Sequence, residues 1–415
     1  MTEGAPDAGW PAAELVSFAV RDFKALRDAR LDFEPDVTVL VGRNDVGKST
    51  VLEALFAYGM VVRSGGFRTL YREVPPRFDA TWRRGDELWE HGQTFDPRAP
   101  AERLRCGDRF WDWNPRTREL KTDLGVFQAR DLPRLLALGQ IGAERWRLDT
   151  DVPEAVFGPL AVLAQFGIPQ PYRFEPTALQ RPAPLALEQP QPTGLGWTMW
   201  MQAIVNRRDA GLSSLEQVMR GLFPFFGELR LREQRVHIEQ SVVATPPDPL
   251  SLPDPADEPL RRELETQATR LLYVRAPSPE APWVAASELS SGLLLTLAHL
   301  ALVYGTDDTR LLLLEEPENG LNPKITLEMM RALLAAATAR KRQLLITTHN
   351  AWWLDLIPRR AIRVLTRDVD GAKISRPDPE ELDELLGSLD AYPSELVNVY
   401  GPEGLLMHGR GGDSG

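Results

Sequence analysis

Three stretches of the sequence predict an α/β fold with a mixed sheet. Val37-Thr38-Val39-Leu40-Val41 is an apolar, β-branched run of strand length that leads straight into Gly42-Arg43-Asn44-Asp45-Val46-Gly47-Lys48-Ser49-Thr50. Leu311-Leu312-Leu313-Leu314 is a second such run and ends in Glu315-Glu316-Pro317-Glu318. Gln343 to Thr347 is a third and ends at Thr348-His349. Short apolar runs bounded by turn signals read as strands buried on both faces. Their polar ends lie at the C-terminal edge, where open α/β sheets bind ligands.

Before the first of these, Leu15 to Val20 and Ala29 to Phe33 read as a hairpin. The loop that follows fits the template of a glycine, four residues, glycine, lysine and serine or threonine, which binds a nucleoside triphosphate. Behind it Val51, Leu52, Leu55 and Phe56 make the apolar face of a helix, with Lys48 to Thr50 at its positive end. Gly42 and Gly47 are expected to free the backbone so that its N–H groups approach phosphate, Lys48 to bridge the terminal phosphates and Ser49 to ligate Mg²⁺. The expected ATP-binding residues here are Gly42, Asn44, Gly47, Lys48, Ser49 and Thr50.

Past Gly59 the character changes. Trp82, Trp89, Trp111, Trp113 and Trp146 are scattered among prolines and arginines. Such a mixture can stack a single nucleic-acid strand, but tryptophans more often anchor the core of a small lobe. Phe174 to Pro184 and Pro190 to Gly196 are extended and loop-like. Ser214 and Gln217 read as a capping box for a helix with Leu215, Val218, Met219, Leu222 and Phe223 on one face. Leu229, Leu231, Val236 and Ile238 alternate as strands do, and Pro246 to Pro259 has the composition of a mobile loop. Ser287-Glu288-Leu289-Ser290-Ser291-Gly292 precedes an apolar helix, Leu293 to Tyr304. Asn322 and Pro323 read as N-cap and first residue of a helix, Asp370-Gly371 as a hairpin turn, and Glu380 to Leu386 as a helix with a solvated acidic face.

With 415 residues, 43% hydrophobic and 26% charged, the chain has room for two or three domains and a sizeable core. A net charge of −11 gives no bulk attraction to nucleic acid or anionic lipid. Arg207-Arg208, Arg261-Arg262 and Arg340-Lys341-Arg342 read as solvated faces. The single cysteine, Cys106, rules out an intramolecular disulfide and a multi-cysteine metal site. No signal pattern opens the chain and no apolar run spans a bilayer, so a cytoplasmic protein without membrane contact is expected.

A phosphate loop needs a carboxylate to hold Mg²⁺ and a base to orient the attacking water. Glu315 and Glu316 at one strand end offer both, Glu315 toward the metal and Glu316 toward the water. His349, at another strand end, is placed to bond the γ-phosphate.

The order of these motifs resembles the ABC-type ATPase heads of the SMC, RecF and OLD group, in the AAA-labelled branch carrying Glu-Glu-Pro-Glu-Asn-Gly-Leu. The residues that carry the resemblance are Gly42 to Thr50, Leu289-Ser290-Ser291-Gly292, Glu315 and Glu316 with Pro317 to Pro323, and His349, with a weaker echo in Tyr172-Arg173-Phe174-Glu175-Pro176. It implies an ABC-type P-loop ATPase head split between 13–59 and 283–376, an inserted α+β lobe at 60–282 with its loop at 246–259, and a helix and tail at 377–415. It implies ATP and Mg²⁺ as cofactors and a head-to-tail homodimer in which Ser290 and Gly292 of one copy close on ATP held by the other. Two positions depart from the pattern: Glu315 stands where most such heads have Asp, and Asn322 where this branch often has His. The glutamine expected near the metal is unassigned between Gln128 and Gln140. By this resemblance the protein is an ATPase that acts as a nucleotide-gated sensor or scaffold for a separate effector in prokaryotic antiphage defence. The alternative is a RecF-like clamp for DNA repair, with nucleic acid open as a partner; a transporter motor is disfavoured by the insert's size. With about fifty residues after Leu365, the chain is expected to hold no effector chemistry of its own.

Overall fold

In this computed structural model the chain opens with a hairpin of β1 (Glu14–Phe23) and β2 (Leu26–Asp32). Phe18 and Val20 of β1 are buried between less buried neighbours, the alternation of a strand with one face on a core. All six residues of β3 (Val37–Gly42) are buried, which makes it a central strand, and α1 (Lys48–Ser64) follows the phosphate loop. Next come β4 (Arg77–Arg84), β5 (Glu87–Thr94), β6 (Ala101–Cys106), β7 (Arg109–Asn114), β8 (Glu119–Thr122) and β9 (Gly125–Gln128). With the first hairpin they form an antiparallel sheet of order β2-β1-β4-β5-β6-β7-β8-β9. Trp82, Trp89, Trp111 and Trp113 are buried in its core, so they are packing anchors and not a stacking platform. β10 (Pro171–Tyr172) ends this part of the chain. The structure describes residues 13–64, 76–94, 101–114, 117, 119–128, 169–184, 187, 189–207, 210–241, 262–305 and 310–407. Trp146, Gln140, Arg208, Arg261 and the Pro246–Pro259 segment lie outside them.

The chain divides into two compact units, Met1–Arg173 with Thr306–Gly415, and Phe174–Gly305. The second unit holds α2 (Pro176–Leu179), β11 (Ala183–Pro184), α3 (Thr198–Arg207), α4 (Gly211–Leu222), β12 (Glu228–Ser241), β13 (Arg262–Arg275), β14 (Val284–Ala285) and α5 (Ser291–Gly305). β12 and β13 pair antiparallel along 14 residues each. Every residue of α5 from Leu293 to Gly305 is buried, the mark of a core helix without a solvated face. α4 begins earlier than the Ser214 capping box implied. Its apolar line runs back through Met219 and Leu215 to Gly211, so Ala210 occupies the cap position and Ser214 lies inside the helix.

The first unit resumes with β15 (Leu311–Glu315), α6 (Pro323–Ala339), β16 (Gln343–Thr348), β17 (Ile362–Asp368), β18 (Gly371–Ser375), α7 (Pro379–Leu389) and α8 (Pro393–Tyr400). Its second sheet has the order β10-β15-β16-β3-β17-β18, parallel through β17 and closed by an antiparallel β18. The predicted mixed sheet is present. One buried core takes in residues of both sheets and of α1, among them Phe18 and Trp82, Leu52 and Leu55, and Leu40, Leu313 and Leu345. Gln343 ties the same layers together by donating to the carbonyls of Leu15 and Glu34, both at 2.8 Å, and accepting from the Leu15 amide at 3.1 Å. Within the first unit β4 to β9 extend the sheet that β1 and β2 begin. No helix among the described residues is long and apolar enough to cross a membrane.

Candidate active site

The loop between β3 and α1 folds around its own lysine. Lys48 Nζ donates to the carbonyls of Gly42 at 2.8 Å and Arg43 at 3.0 Å. Burial lowers its pKa, and the charges of Glu316, Glu318, Asp45 and Glu315 act against that shift. Gly47 has φ +113, a conformation L side chains rarely adopt, so its backbone freedom is used as expected. Gly42 is needed for another reason. A Cβ there would stand 2.7 Å from the Leu365 carbonyl oxygen and 2.8 Å from Val46 Cγ1, so the tight approach of β3 to β17 excludes any side chain.

Ser49, in the first turn of α1, donates from Oγ to Glu315 Oε1 at 2.5 Å and so links the loop to the end of β15. A hydroxyl and a carboxylate are hard oxygen donors of the kind Mg²⁺ takes alongside phosphate oxygens and water. Among the described residues no group of three or more His, Cys, Asp or Glu could cage a metal by itself. The residues therefore fit a metal that is completed by phosphate oxygens.

Glu316 follows in a left-handed backbone conformation, φ 46, with its N–H donating to the Thr347 carbonyl at 3.0 Å. This turn takes its side chain off the line of β15 and into a network. Oε1 lies 2.5 Å from His349 Nε2, while Oε2 accepts from Asn319 Nδ2 at 2.8 Å and forms an ion pair with Arg173 Nη2 at 3.2 Å. Burial works against its charge, but the Asn319 amide, His349 and Arg173 outweigh that and hold its pKa below the usual carboxylate range. With Glu316 ionised, the imidazole must supply the proton of their shared hydrogen bond. Glu318 braces the neighbouring strand end, since its Oε1 accepts from Thr348 Oγ1 at 2.6 Å and from the His349 amide at 2.9 Å.

Of these groups Gly47, Lys48, Ser49, Arg173, Glu316, Asn319 and His349 line a cleft of about 830 Å³ together with Asn44 and Thr50, and Glu315 joins it through its bond with Ser49. The structure thus gathers the phosphate loop, both glutamates and the histidine in one unit. Ser290 and Gly292 belong to the other unit, at the start of α5, where Ser290 Oγ accepts from the Leu293 amide at 3.4 Å. Sequence reasoning missed Arg173 and Asn319 as members of the cleft; the only signals were the Tyr172-to-Pro176 phrase and the position of Asn319 within the acidic turn. Gln128 ends β9, and Gln140 lies outside the described residues.

A family model described as "AAA domain, putative AbiEii toxin, Type IV TA system" matches residues 200–351, and one described as "AAA ATPase domain" matches residues 14–58. No curated protein matches the sequence. Among solved structures the chain is similar to an Smc head bound to the C-winged helix domain of ScpA, at 11% identity over 87% of this chain and 97% of that one, with a TM-score of 0.48. It is also similar to the SMC head domain from Thermotoga maritima, at 14% identity over 88% and 99%, TM-score 0.44. A third is the Pyrococcus furiosus Smc head domain with an extended coiled coil bound to the C-terminal domain of ScpA, at 11% identity over 91% and 100%, TM-score 0.49. One matched segment holds the phosphate loop and the other the acidic strand and His349, so both parts of the candidate site fall in segments that are similar to AAA-type ATPase domains.

Proposed function

We propose that this protein is a Mg²⁺-dependent ATPase whose two copies close head to tail on ATP and whose nucleotide state is passed to a separate effector in antiphage defence. The observation that carries the reading is the meeting of Lys48, Ser49, Glu316 and His349 around one cleft, with Glu315 bonded to Ser49. Phosphate is met by the amides of the loop, the N-terminus of α1 and the Lys48 ammonium. Ser49 and Glu315 hold Mg²⁺, which when bound neutralises charge on the phosphates. Glu316, kept ionised at neutral pH, takes the proton of the attacking water. His349 fixes the direction of that carboxylate through Oε1, and Asn319 does so through Oε2.

Ser290 and Gly292 open α5, whose N-terminal amides suit an anion. In a head-to-tail dimer they complete the site of the other copy. A setting in defence or a toxin–antitoxin system is supported by the Type IV TA system in the description of one matching family. The test is ATP hydrolysis by the purified chain, with Mg²⁺ and with the metal chelated, beside nucleotide binding by Lys48→Ala. Hydrolysis that stops on chelation and binding that is lost in the variant support the reading. Turnover that continues unchanged in Lys48→Ala contradicts it.

A further inference from the structure

Arg173 lines the same cleft as Lys48, and the mechanism above uses it only as a charge that keeps Glu316 ionised. It directly follows β10, the edge strand that pairs with β15 through Pro171 with Leu313 and Tyr172 with Leu314. That register sets the guanidinium beside the acidic end of β15. Nη1 lies 3.7 Å from Glu315 Oε1 and Nη2 lies 3.2 Å from Glu316 Oε2. One side chain therefore spans both carboxylates, the one assigned to the metal and the one assigned to the water. The Glu315 oxygen it approaches is also the one that accepts from Ser49.

A guanidinium and a divalent cation drawn to the same oxygen repel each other, so Arg173 and a metal compete for Glu315. The described residues provide no cage that would hold a metal without phosphate oxygens. Once released from Glu315, Arg173 is a half-exposed guanidinium at a phosphate site, and its planar set of donors fits two oxygens of a phosphoryl group. We propose that Arg173 is a phosphate-positioning residue that exchanges Glu315 for the terminal phosphate of ATP, so that metal is admitted with the nucleotide and not ahead of it. The proposal rests on the ATPase reading of the cleft.

The experiment uses the full chain as wild type, Arg173→Ala and Arg173→Lys, with the thermal midpoint of each as a folding control. Three affinities are measured: for Mn²⁺ alone by its paramagnetic resonance signal, for ADP with Mg²⁺, and for a non-hydrolysable ATP analogue with Mg²⁺. In Arg173→Ala the affinity for Mn²⁺ alone should rise, as one repelling charge is removed, and the preference for the ATP analogue over ADP should fall, as one charge-assisted hydrogen bond is lost, each by about tenfold. Arg173→Lys, which keeps the charge without the fork, should hold Mn²⁺ affinity near wild type while losing part of the preference. The exchange is overturned when Arg173→Ala changes neither quantity or only one of them while wild-type binding is normal. Absence of nucleotide binding in the wild type would instead remove the ATPase reading itself.

Discussion

Glu316 holds its carboxylate in place at a conformational cost. A non-glycine residue at φ 46 gives up about 1–3 kcal/mol of backbone energy, which the Thr347, Asn319 and His349 contacts must offset. Glu316→Gln should bind ATP as the wild type does and turn over on the order of 10²-fold more slowly, since the amide keeps the shape but cannot accept the proton. Binding by equilibrium titration and turnover by phosphate release check this; unchanged turnover would pass the role of base to another group, with Glu318 the nearest candidate. The pH dependence has a defined sign. A carboxylate whose folded pKa is lowered stays ionised until pH falls through that lowered value, so catalysis should persist through the range near pH 4.3 in which a free glutamate would protonate. Loss of turnover already between pH 7 and 5, in folded protein, would contradict this. At Gly42 the prediction concerns packing. Gly42→Ala places a methyl 2.7 Å from the Leu365 carbonyl, so β3 and β17 must part at a cost of about 1–3 kcal/mol, and ATP binding should fall with stability in denaturant titration.

Among the elements, α5 shows how a buried polar group reports on its surroundings. His299 bonds through Nδ1 to the Leu295 carbonyl at 2.7 Å, its ring lies 4.6 Å from that of Phe174, and burial pushes its pKa down to about 4. The unfolded chain, with a histidine pKa near 6.5, takes up the proton first as pH falls, so stability is lost from about pH 6.5 down to about pH 4. Between pH 7 and 5 this amounts to on the order of 2 kcal/mol. Urea unfolding at the two pH values should show the loss in wild type and its absence in His299→Gln; parallel losses would place the dependence elsewhere. The elements that build the cleft were legible in the sequence where signals are local. β3, β15 and β16 are apolar without alternation because both their faces are covered, and Asn322 does cap α6, its side chain accepting from Ile325 at 3.0 Å. The acidic run from Asp378 proved to be a cap and a helix face, with Asp378 accepting from the amides of Glu380 and Glu381. Arg173 was not legible, because a two-residue strand has no periodicity and its partner, β15, is far away in sequence. Nor was the extent of the antiparallel sheet, whose short strands carry their burial on tryptophans that fit a separate lobe equally well.

At the scale of the whole molecule, the phosphate loop and both glutamates lie in one unit, while Ser290 and Gly292 lie in the other. A closed two-fold dimer would bring the loop of each copy against the Leu289-Ser290-Ser291-Gly292 signature of its partner. Lys48→Ala and Ser290→Arg should each abolish hydrolysis alone, for different reasons: the first removes the cation that meets phosphate, and the second fills the anion site at the head of α5. In a mixed dimer one of the two sites unites an intact loop with an intact signature. Shared sites are tested most directly by mixing the two inactive proteins and measuring ATP hydrolysis. With random exchange about half the dimers are mixed and each has one working site, so activity should return to about a quarter of the wild-type rate per chain. No recovery, in a mixture where labelled subunits demonstrably exchange, would contradict a site completed in trans.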